Sequence, residues 1–142
     1  MKRCLALALE GGNVGEVPVG ALIVLNDEII AEAFNQPRST NDPLAHAEVI
    51  AIRKAALKLG TDKLENCDLW VTLEPCTMCA GAISHARIRR LYYATSDIKG
   101  GAVENGVRFF NAKTCHHKPE VYSGINEEAA TMILKDFFAA KR

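Results

Sequence analysis

The apolar positions in the N-terminal part of the chain change from helical to strand spacing. Residues Met1–Glu10 place apolar side chains three and four positions apart, and Gly11-Gly12-Asn13 ends that pattern. Two strand-like runs follow, Val19–Leu25 and Glu28–Phe34, and the two-residue link Asn26-Asp27 between them is typical of a tight hairpin. The sequence therefore predicts a helix followed by a β-hairpin.

The helical period returns after a polar segment, Asn35–Asn41, which predicts a loop. Asp42-Pro43 supplies a capping residue and a first-turn proline for a helix that continues to about Leu59. Five apolar residues of this helix are expected to face the core: Val49, Ile50, Ile52, Ala56 and Leu57. His46 and Glu48 fall in its first turns.

Strand and helix patterns alternate again in the second half of the chain. Asp68–Leu73 is a short apolar strand, Pro75 starts the next helix, and Ile88–Ala94 returns as a strand. This strand-helix-strand order indicates parallel pairing of the two strands. After a weakly patterned, glycine-punctuated region, Val121-Tyr122 predicts a fifth strand.

An amphipathic helix closes the chain, with Asn126 as its capping residue and Lys141-Arg142 at its end. Its apolar face is predicted to contain Ala129, Ile133, Leu134, Phe137 and Phe138. We expect at least one of the two phenylalanines to lie in the core. The alternation of elements predicts one α/β domain over residues 1–142, with three layers and a mixed central sheet.

The amino-acid composition restricts the number of domains and the kind of site, but it does not identify a binding partner. The chain has 142 residues, enough for one domain, and its 17 basic residues balance 17 acidic ones, so a nucleic-acid partner would have to be bound by local basic patches. The apolar run Cys4–Leu9 is too short to span a membrane. We therefore expect a cytoplasmic protein. Its five thiols are expected to be reduced, because an odd number of cysteines with a Cys-x-x-Cys pair is more typical of metal or redox sites than of a disulfide framework.

Four residues carry the candidate chemistry. His46 and Glu48 form His-x-Glu, and Cys76 and Cys79 form Pro-Cys-x-x-Cys 30 positions later, which together are the signature of zinc deaminases. His46, Cys76 and Cys79 supply three ligands, and catalytic zinc typically has three protein ligands plus an exchangeable water. Glu48 is the candidate carrier of the proton that this water releases.

The cysteine pair has two other interpretations. A structural zinc site needs a fourth protein ligand, for which four residues are candidates: His85, Cys115, His116 and His117. A thioredoxin-like redox pair would leave His46 and Glu48 without a role. The remaining cysteines, Cys4 and Cys67, lie among apolar residues and are expected in the core.

Several longer motifs resemble bacterial tRNA-specific adenosine deaminases of the TadA type. They begin with Val17-Pro18-Val19-Gly20-Ala21, Phe34-Asn35-Gln36-Pro37, Ala45-His46-Ala47-Glu48 and Thr72–Ala82, and continue through Ala86–Arg90, Asp97, Lys99 and Gly101 to Asp136-Phe137-Phe138. The resemblance covers nearly the whole chain. It implies a cytidine-deaminase-like fold with a five-stranded sheet, a homodimer with one Zn²⁺ per subunit, and conversion of adenosine to inosine at the wobble position of a tRNA anticodon.

The resemblance also implies roles for five substrate-binding positions. Asn35 would contact the flipped base, and the backbone of Ala47 and the side chain of Val19 would help to define its pocket. Asp97 and Lys99 match a segment that contacts the anticodon nucleotides. These positions suit recognition of a base that is splayed out of an RNA loop.

The resemblance is weakest over Glu104–Pro119, where many relatives carry a shorter apolar stretch. Two alternatives to the tRNA enzyme stay open. A guanine, cytidine or nucleotide deaminase acting on small molecules would use the same zinc chemistry, and a noncatalytic, zinc-stabilised RNA-binding module would not need Glu48.

Overall fold

The computed structural model describes residues 1–141, so Arg142, predicted at the end of the last helix, lies outside the described residues. The elements in chain order are α1 Lys2–Asn13, β1 Gly20–Leu25, β2 Glu28–Phe34, α2 Pro37–Thr40, α3 Ala47–Leu59, β3 Cys67–Leu73, α4 Thr77–His85, β4 Arg90–Thr95, a 3-10 turn Phe109–Asn111, β5 Glu120–Ser123 and α5 Glu127–Ala140. No helix within residues 1–141 combines the length and the apolar composition needed to cross a membrane.

The five strands form one mixed sheet in the order β2-β1-β3-β4-β5. The pairs β1/β2 and β1/β3 are antiparallel, whereas β3/β4 and β4/β5 are parallel. Asn26 and Asp27, at the β1/β2 turn, both have positive φ, as a tight hairpin turn requires. The predicted hairpin and the predicted mixed α/β sheet are confirmed.

Helices cover both faces of the sheet. In α1, Cys4 and Leu7 pack with Leu22 of β1, whereas the alanines of α3 pack with Ala21 and Ile23 of the same strand. Neighbouring residues of a strand point to opposite faces, so α1 and α3 lie on opposite sides of the sheet. The three-layer arrangement is therefore confirmed, and Cys4 and Cys67 are buried as predicted.

Helix α1 lies so close to β1 that the contact requires glycine. A Cβ atom at Gly20 would lie 2.1 Å from the carbonyl oxygen of Cys4 and 2.8 Å from the amide nitrogen of Ala8. Both neighbours are backbone atoms and cannot swing aside. Glycine at position 20 is therefore required for the close packing of α1 on β1.

The start of α3 differs from the prediction. Asp42 does not cap it: the Asp42 carboxylate accepts the Leu44 N–H at 2.9 Å in a turn, and α3 begins only at Ala47. The residues predicted as a loop contain a short helix, α2, because Pro37 fits its first turn and the Thr40 hydroxyl donates to the Gln36 carbonyl at 2.6 Å. The structure thus has two helices, α2 and α3, where the sequence predicted a loop followed by one helix from Asp42-Pro43.

The core-facing side of α3 also differs from the prediction. Its fully buried apolar residues are Ala47, Ala51 and Ala55, spaced four apart, and Leu57 is 84% exposed. Of the residues predicted to face the core, Ile50, Ile52 and Ala56 are half-buried and pack against it as predicted, whereas Val49 is half-buried outside that cluster. The small alanines face inward because α3 packs closely on β1 and β2, so the larger side chains mark the flanks of the core-facing stripe and not its centre.

Helix α5 is less buried than its pattern predicts. Ala130 is its fully buried residue. Phe137 is half-buried and Phe138 is 48% exposed, so the expectation that one of them lies in the core is wrong. Asn126 occupies the N-cap position in a left-handed conformation, but its side chain makes no capping hydrogen bond.

Candidate metal centre and active site

The side chains of His46, Cys76 and Cys79 meet at one point. The distance from His46 Nδ1 to Cys76 Sγ is 3.6 Å and that to Cys79 Sγ is 3.5 Å. All three ligand atoms lie within 4.8 Å of one another. For tetrahedral zinc, bond lengths of about 2.3 Å to sulfur and about 2.0 Å to nitrogen place neighbouring ligand atoms about 3.5 Å apart. The group can hold a metal ion, and its spacing and donor set fit zinc.

Two helix N-termini bring these ligands together. His46 is the N-cap of α3 and Cys76 is the N-cap of α4, both in extended conformation, and Cys79 lies in the first turn of α4. The carbonyls of both N-cap residues accept the first helical hydrogen bonds, from Ile50 and Ala80. The unpaired N–H groups and the dipoles at these ends favour negative charge, and hence thiolates.

The two thiols differ in electrostatics. The hydrogen bond with Cys79 and the adjacent His46 ring lower the pKa of Cys76 to about 4, although burial opposes this shift. The same hydrogen bond and burial raise the pKa of Cys79. Hydrogen bonding to Cys76 raises the pKa of His46. The two thiols and the imidazole therefore share protons in this group, and metal binding must displace them.

Glu48 lies in the first turn of α3 and is only 4% exposed. Burial raises its pKa above the ordinary value for a glutamate, and the nearby His46 reduces this effect. A carboxyl group whose pKa is moved toward neutrality can both accept and release a proton during one reaction. Because Glu48 follows His46 by two residues at the helix end, both side chains reach the same region.

Asn35, Val19 and Ala47 lie together beside the start of α3. The Asn35 side-chain oxygen accepts the Ala47 N–H at 2.8 Å, and the Asn35 N–H donates to the Val19 carbonyl at 3.1 Å. Val19 is 4% exposed and belongs to the core. Among residues 1–141 the Asn35 side-chain NH₂ has no hydrogen-bond partner, so this group is free to donate to a ligand.

Asp97 and Lys99 lie on the loop after β4. The Asp97 carboxylate accepts the N–H groups of Lys99 and Gly100, at 3.1 and 3.0 Å, and so fixes a tight turn. Lys99 is exposed. Both residues line a groove of about 1080 Å³ between this loop and α5.

One residue next to the metal ligands was assigned no role from the sequence. Glu74, two residues before Cys76, is 2% exposed, and its carboxylate accepts hydrogen bonds from Asp97, Val103, Glu104 and Asn105. The sequence contains one signal for it, an acidic residue at the end of an apolar strand. Four of its five donors are backbone N–H groups, and a sequence motif does not show which backbone groups a side chain binds.

The candidate fourth ligands are placed elsewhere. The Cys115 thiol donates to the His117 carbonyl at 3.1 Å, and His117 Nε2 lies 2.6 Å from the Ile88 carbonyl. Within the part of the chain that the structure describes, the group of His46, Cys76 and Cys79 has no fourth His, Cys, Asp or Glu member. Three protein ligands favour a catalytic over a structural metal site.

Residues 1–95 match the model of the cytidine and deoxycytidylate deaminase zinc-binding region. Over its whole length the chain is 55% identical to a tRNA-specific adenosine deaminase of Agrobacterium fabrum, covering 93% of that protein. It is 39% identical to a tRNA-specific adenosine deaminase of Bacillus subtilis, covering 88% of that protein.

The chain also matches solved structures of deaminases. One, from a study of A-to-I editing by tRNA:A34 deaminases, matches with a TM-score of 0.93 and 55% identity over 94% of this chain and 97% of that chain. A guanine deaminase of Bacillus subtilis matches with a TM-score of 0.65 and 36% identity, over 99% of this chain and 90% of that chain. These relatives differ in the substrates that their names give.

Proposed function

We propose a function on the premise that this chain belongs to the cytidine and deoxycytidylate deaminase family of zinc-binding enzymes. The chain hydrolyses adenosine to inosine at the wobble position of a tRNA anticodon, with residues 1–142 as a single deaminase domain. The observation that carries this proposal is the group of three metal ligands at two helix ends, with the buried Glu48 beside it. Similarity to tRNA-specific adenosine deaminases over the whole chain supports the substrate.

The reaction follows from the residues at the two helix ends. When bound by His46, Cys76 and Cys79, one zinc ion per subunit supplies a Lewis acid with a position for water. Glu48 takes a proton from water as its oxygen adds to C6 of the adenine, and delivers this proton to the ring nitrogen N1. Glu48 then takes up the remaining hydroxyl proton and transfers it to the departing amino group. Water and adenosine are thereby converted to inosine and ammonia.

Recognition of the flipped base is assigned to the residues around Asn35. Its side-chain oxygen is held by the Ala47 N–H, which leaves the NH₂ group to donate to a ring nitrogen of the base. Val19 provides an apolar wall, and the Ala47 backbone closes the pocket next to the metal ligands. This arrangement suits a single unpaired nucleotide and not a paired helix.

The groove beside Asp97 and Lys99 suits the flanking anticodon nucleotides. Three lysines contribute positive charge to it, and one exposed phenylalanine offers a ring for stacking. These residues are Lys99, Lys135, Lys141 and Phe138. Because the whole chain has a formal net charge of zero, this local cationic groove is where phosphate groups are best accommodated. The enzyme acts in the cytoplasm as a homodimer on the anticodon arm.

A guanine deaminase is the second candidate, favoured by the 36% identity to the Bacillus subtilis guanine deaminase. The same zinc chemistry would act on a free base, and only the pocket and loop residues would differ. A noncatalytic RNA-binding module is disfavoured, because it would have no use for a buried glutamate beside the metal ligands.

The test is to incubate the purified, zinc-loaded protein with tRNA and, separately, with free guanine and free cytidine. We expect inosine at the wobble position and one ammonia per inosine with tRNA, and no ammonia with either small molecule. Ammonia from guanine or cytidine alone would replace the proposal with the second candidate. Tight RNA binding with zinc retained and no product from any substrate would indicate a binding module.

A further inference from the structure

Glu74 lies at the point where the sheet meets the metal-binding helix. It follows β3 directly, the residue is 2% exposed, and Pro75 and Cys76 come next in the chain. Five N–H donors of one segment, residues 97–105, converge on this carboxylate. Oε1 accepts the Asp97 N–H at 3.0 Å and the Asn105 side-chain amide at 2.7 Å, and Oε2 accepts the N–H groups of Val103, Glu104 and Asn105 at 3.1, 3.0 and 3.0 Å.

The backbone next to Glu74 holds the same segment, which we call the Asp97–Asn105 loop. The Pro75 carbonyl accepts the Ala102 N–H at 2.9 Å. The Glu74 N–H donates at 2.9 Å to the carbonyl of Thr95, the last residue of β4, just before the loop begins. A Cβ atom at Gly101 would lie 2.5 Å from the carboxylate carbon of Glu74. The loop is therefore in direct contact with the residues that precede Cys76.

The charge on Glu74 is balanced by N–H dipoles. Burial penalises a carboxylate, and the five N–H donors that converge on its two oxygens offset this penalty. Within residues 1–141 no Lys, Arg or His forms an ion pair with this carboxylate. Converging backbone N–H groups form an anion-binding nest, and here the anion is a side chain of the protein itself.

We propose that Glu74 is a positioning residue whose carboxylate fixes the Asp97–Asn105 loop, and with it Asp97 and Lys99, at a set distance from the metal-binding end of α4. The inference rests on the proposed function, because the proposed function is what assigns this loop to RNA binding. Glu74 contributes no ligand atom to the metal-binding group. Loss of its charge should therefore weaken capture of the RNA while the chemistry at the metal is preserved.

Glu74→Gln is the direct test, because the amide keeps the size of the side chain but not its acceptor pattern. In either orientation of the amide, its NH₂ group faces at least two N–H donors and can accept from none of them. We expect KM for an anticodon stem-loop RNA to rise by at least about tenfold, with kcat within about threefold of the wild-type value. Zinc content should stay at that of the wild type.

Asp68→Asn is the matched control. Asp68 is a buried acid within β3, 8% exposed, and its two oxygens bind Arg89 at 3.0 Å each. It lies six residues before Glu74, which is about 20 Å along an extended strand. This variant should lower the melting temperature but leave KM within about twofold of the wild-type value. A purely structural role for Glu74 predicts the same pattern for Glu74→Gln, and that result would overturn the proposal.

Asn105→Ala tests the same contact with a smaller change. It removes one of the five donors and leaves the buried carboxylate in place, so KM should rise by about two- to fivefold. If Glu74→Gln does not fold, this variant decides the question, and an unchanged KM would refute the positioning role.

Hydrogen exchange separates this inference from the proposed function, since it needs no substrate. In the Glu74→Gln protein the amides of residues 97–105 should exchange at least about tenfold faster, with those of α4 unchanged. Unchanged exchange in the loop would refute the positioning role even in a protein that deaminates tRNA. If the loop exchanges faster in Glu74→Gln but the wild-type protein does not deaminate tRNA, the loop-fixing role of Glu74 stands and only the proposed function is rejected.

Discussion

Glu48 and Glu74 are both almost completely buried, at 4% and 2% exposure, yet their environments act in opposite directions. Burial raises the pKa of Glu48. Five N–H donors outweigh burial at Glu74, and its pKa is lowered. Burial alone thus does not assign a role to a glutamate. An acid with few donors can exchange protons, whereas an acid whose oxygens are saturated by donors stays charged and holds structure in place.

A third buried glutamate supports this distinction. Glu16 is 1% exposed and accepts hydrogen bonds from the backbone N–H groups of Arg38 and Ser39 and from the Ser39 hydroxyl. Burial opposes the shift, but the bonds from Ser39 and Arg38 lower its pKa. It fixes the short helix α2, as Glu74 fixes the Asp97–Asn105 loop. Both saturated acids thus hold short backbone segments in place.

The largest effect should come from removing the metal that gives Glu48 its role. Cys79→Ala deletes a fully buried ligand, so we expect zinc content to fall from about one per chain to near zero and activity to fall by at least about 10³-fold. Metal analysis and an inosine assay measure both. Cys115→Ala is the control, because Cys115 bonds to Ser84 and His117 away from the metal-binding group. Equal zinc loss in both variants would contradict the ligand assignment.

Glu48→Gln tests the other half of the comparison while the metal is kept. The amide cannot carry the proton from water to the base, so kcat should fall by about 10²- to 10⁴-fold with zinc content unchanged. Steady-state kinetics on an anticodon stem-loop together with metal analysis decide this. A zinc-loaded Glu48→Gln protein with wild-type kcat would remove Glu48 from the mechanism.

Asn35→Asp separates support of the pocket from contact with the base. The aspartate retains an oxygen to accept the Ala47 N–H but loses the NH₂ donor. We expect kcat/KM to fall by about 10- to 100-fold with little change in melting temperature. If Asn35→Ala loses activity and Asn35→Asp does not, then Asn35 acts only through Ala47.

The smallest effect concerns pH and stability. The pKa of Glu74 is lowered in the folded protein, so its ionised form stabilises the fold above the pKa of an unfolded glutamate, about 4.3. That contribution is lost as pH falls through the lower, folded-state pKa. Urea unfolding of wild type and Glu74→Gln between pH 7 and pH 3 should show a stability difference that is largest at pH 7 and decreases below about pH 4. A difference that is constant over this range would contradict the charged state of Glu74.

Local patterns were sufficient to predict most of the fold. Runs of apolar residues located all five strands within two residues of their observed bounds, and the two-residue link Asn26-Asp27 predicted the hairpin turn. The spacing of His46, Cys76 and Cys79 also pointed to one three-ligand group, because zinc chemistry constrains which residue types occur together.

Features that depend on distant contacts were not predictable. Leu57 has the hydrophobicity of a core residue, but the close packing of α3 on the sheet selects Ala51 and Ala55 for burial. Asp42-Pro43 has the local chemistry of a helix start, yet His46 takes the N-cap position at the metal-binding group. Glu74 is bound by donors 23 to 31 residues away. A single sequence contains no direct record of such contacts.

The contrast between the two glutamates is tested most directly by measuring RNA affinity and the single-turnover rate of deamination for Glu48→Gln and Glu74→Gln side by side. We predict that Glu48→Gln binds an anticodon stem-loop with wild-type Kd and has almost no single-turnover rate. Glu74→Gln should bind at least about tenfold more weakly, with a rate at saturating enzyme close to that of the wild type. The same defect in both variants, or the two defects exchanged, would contradict this division of roles.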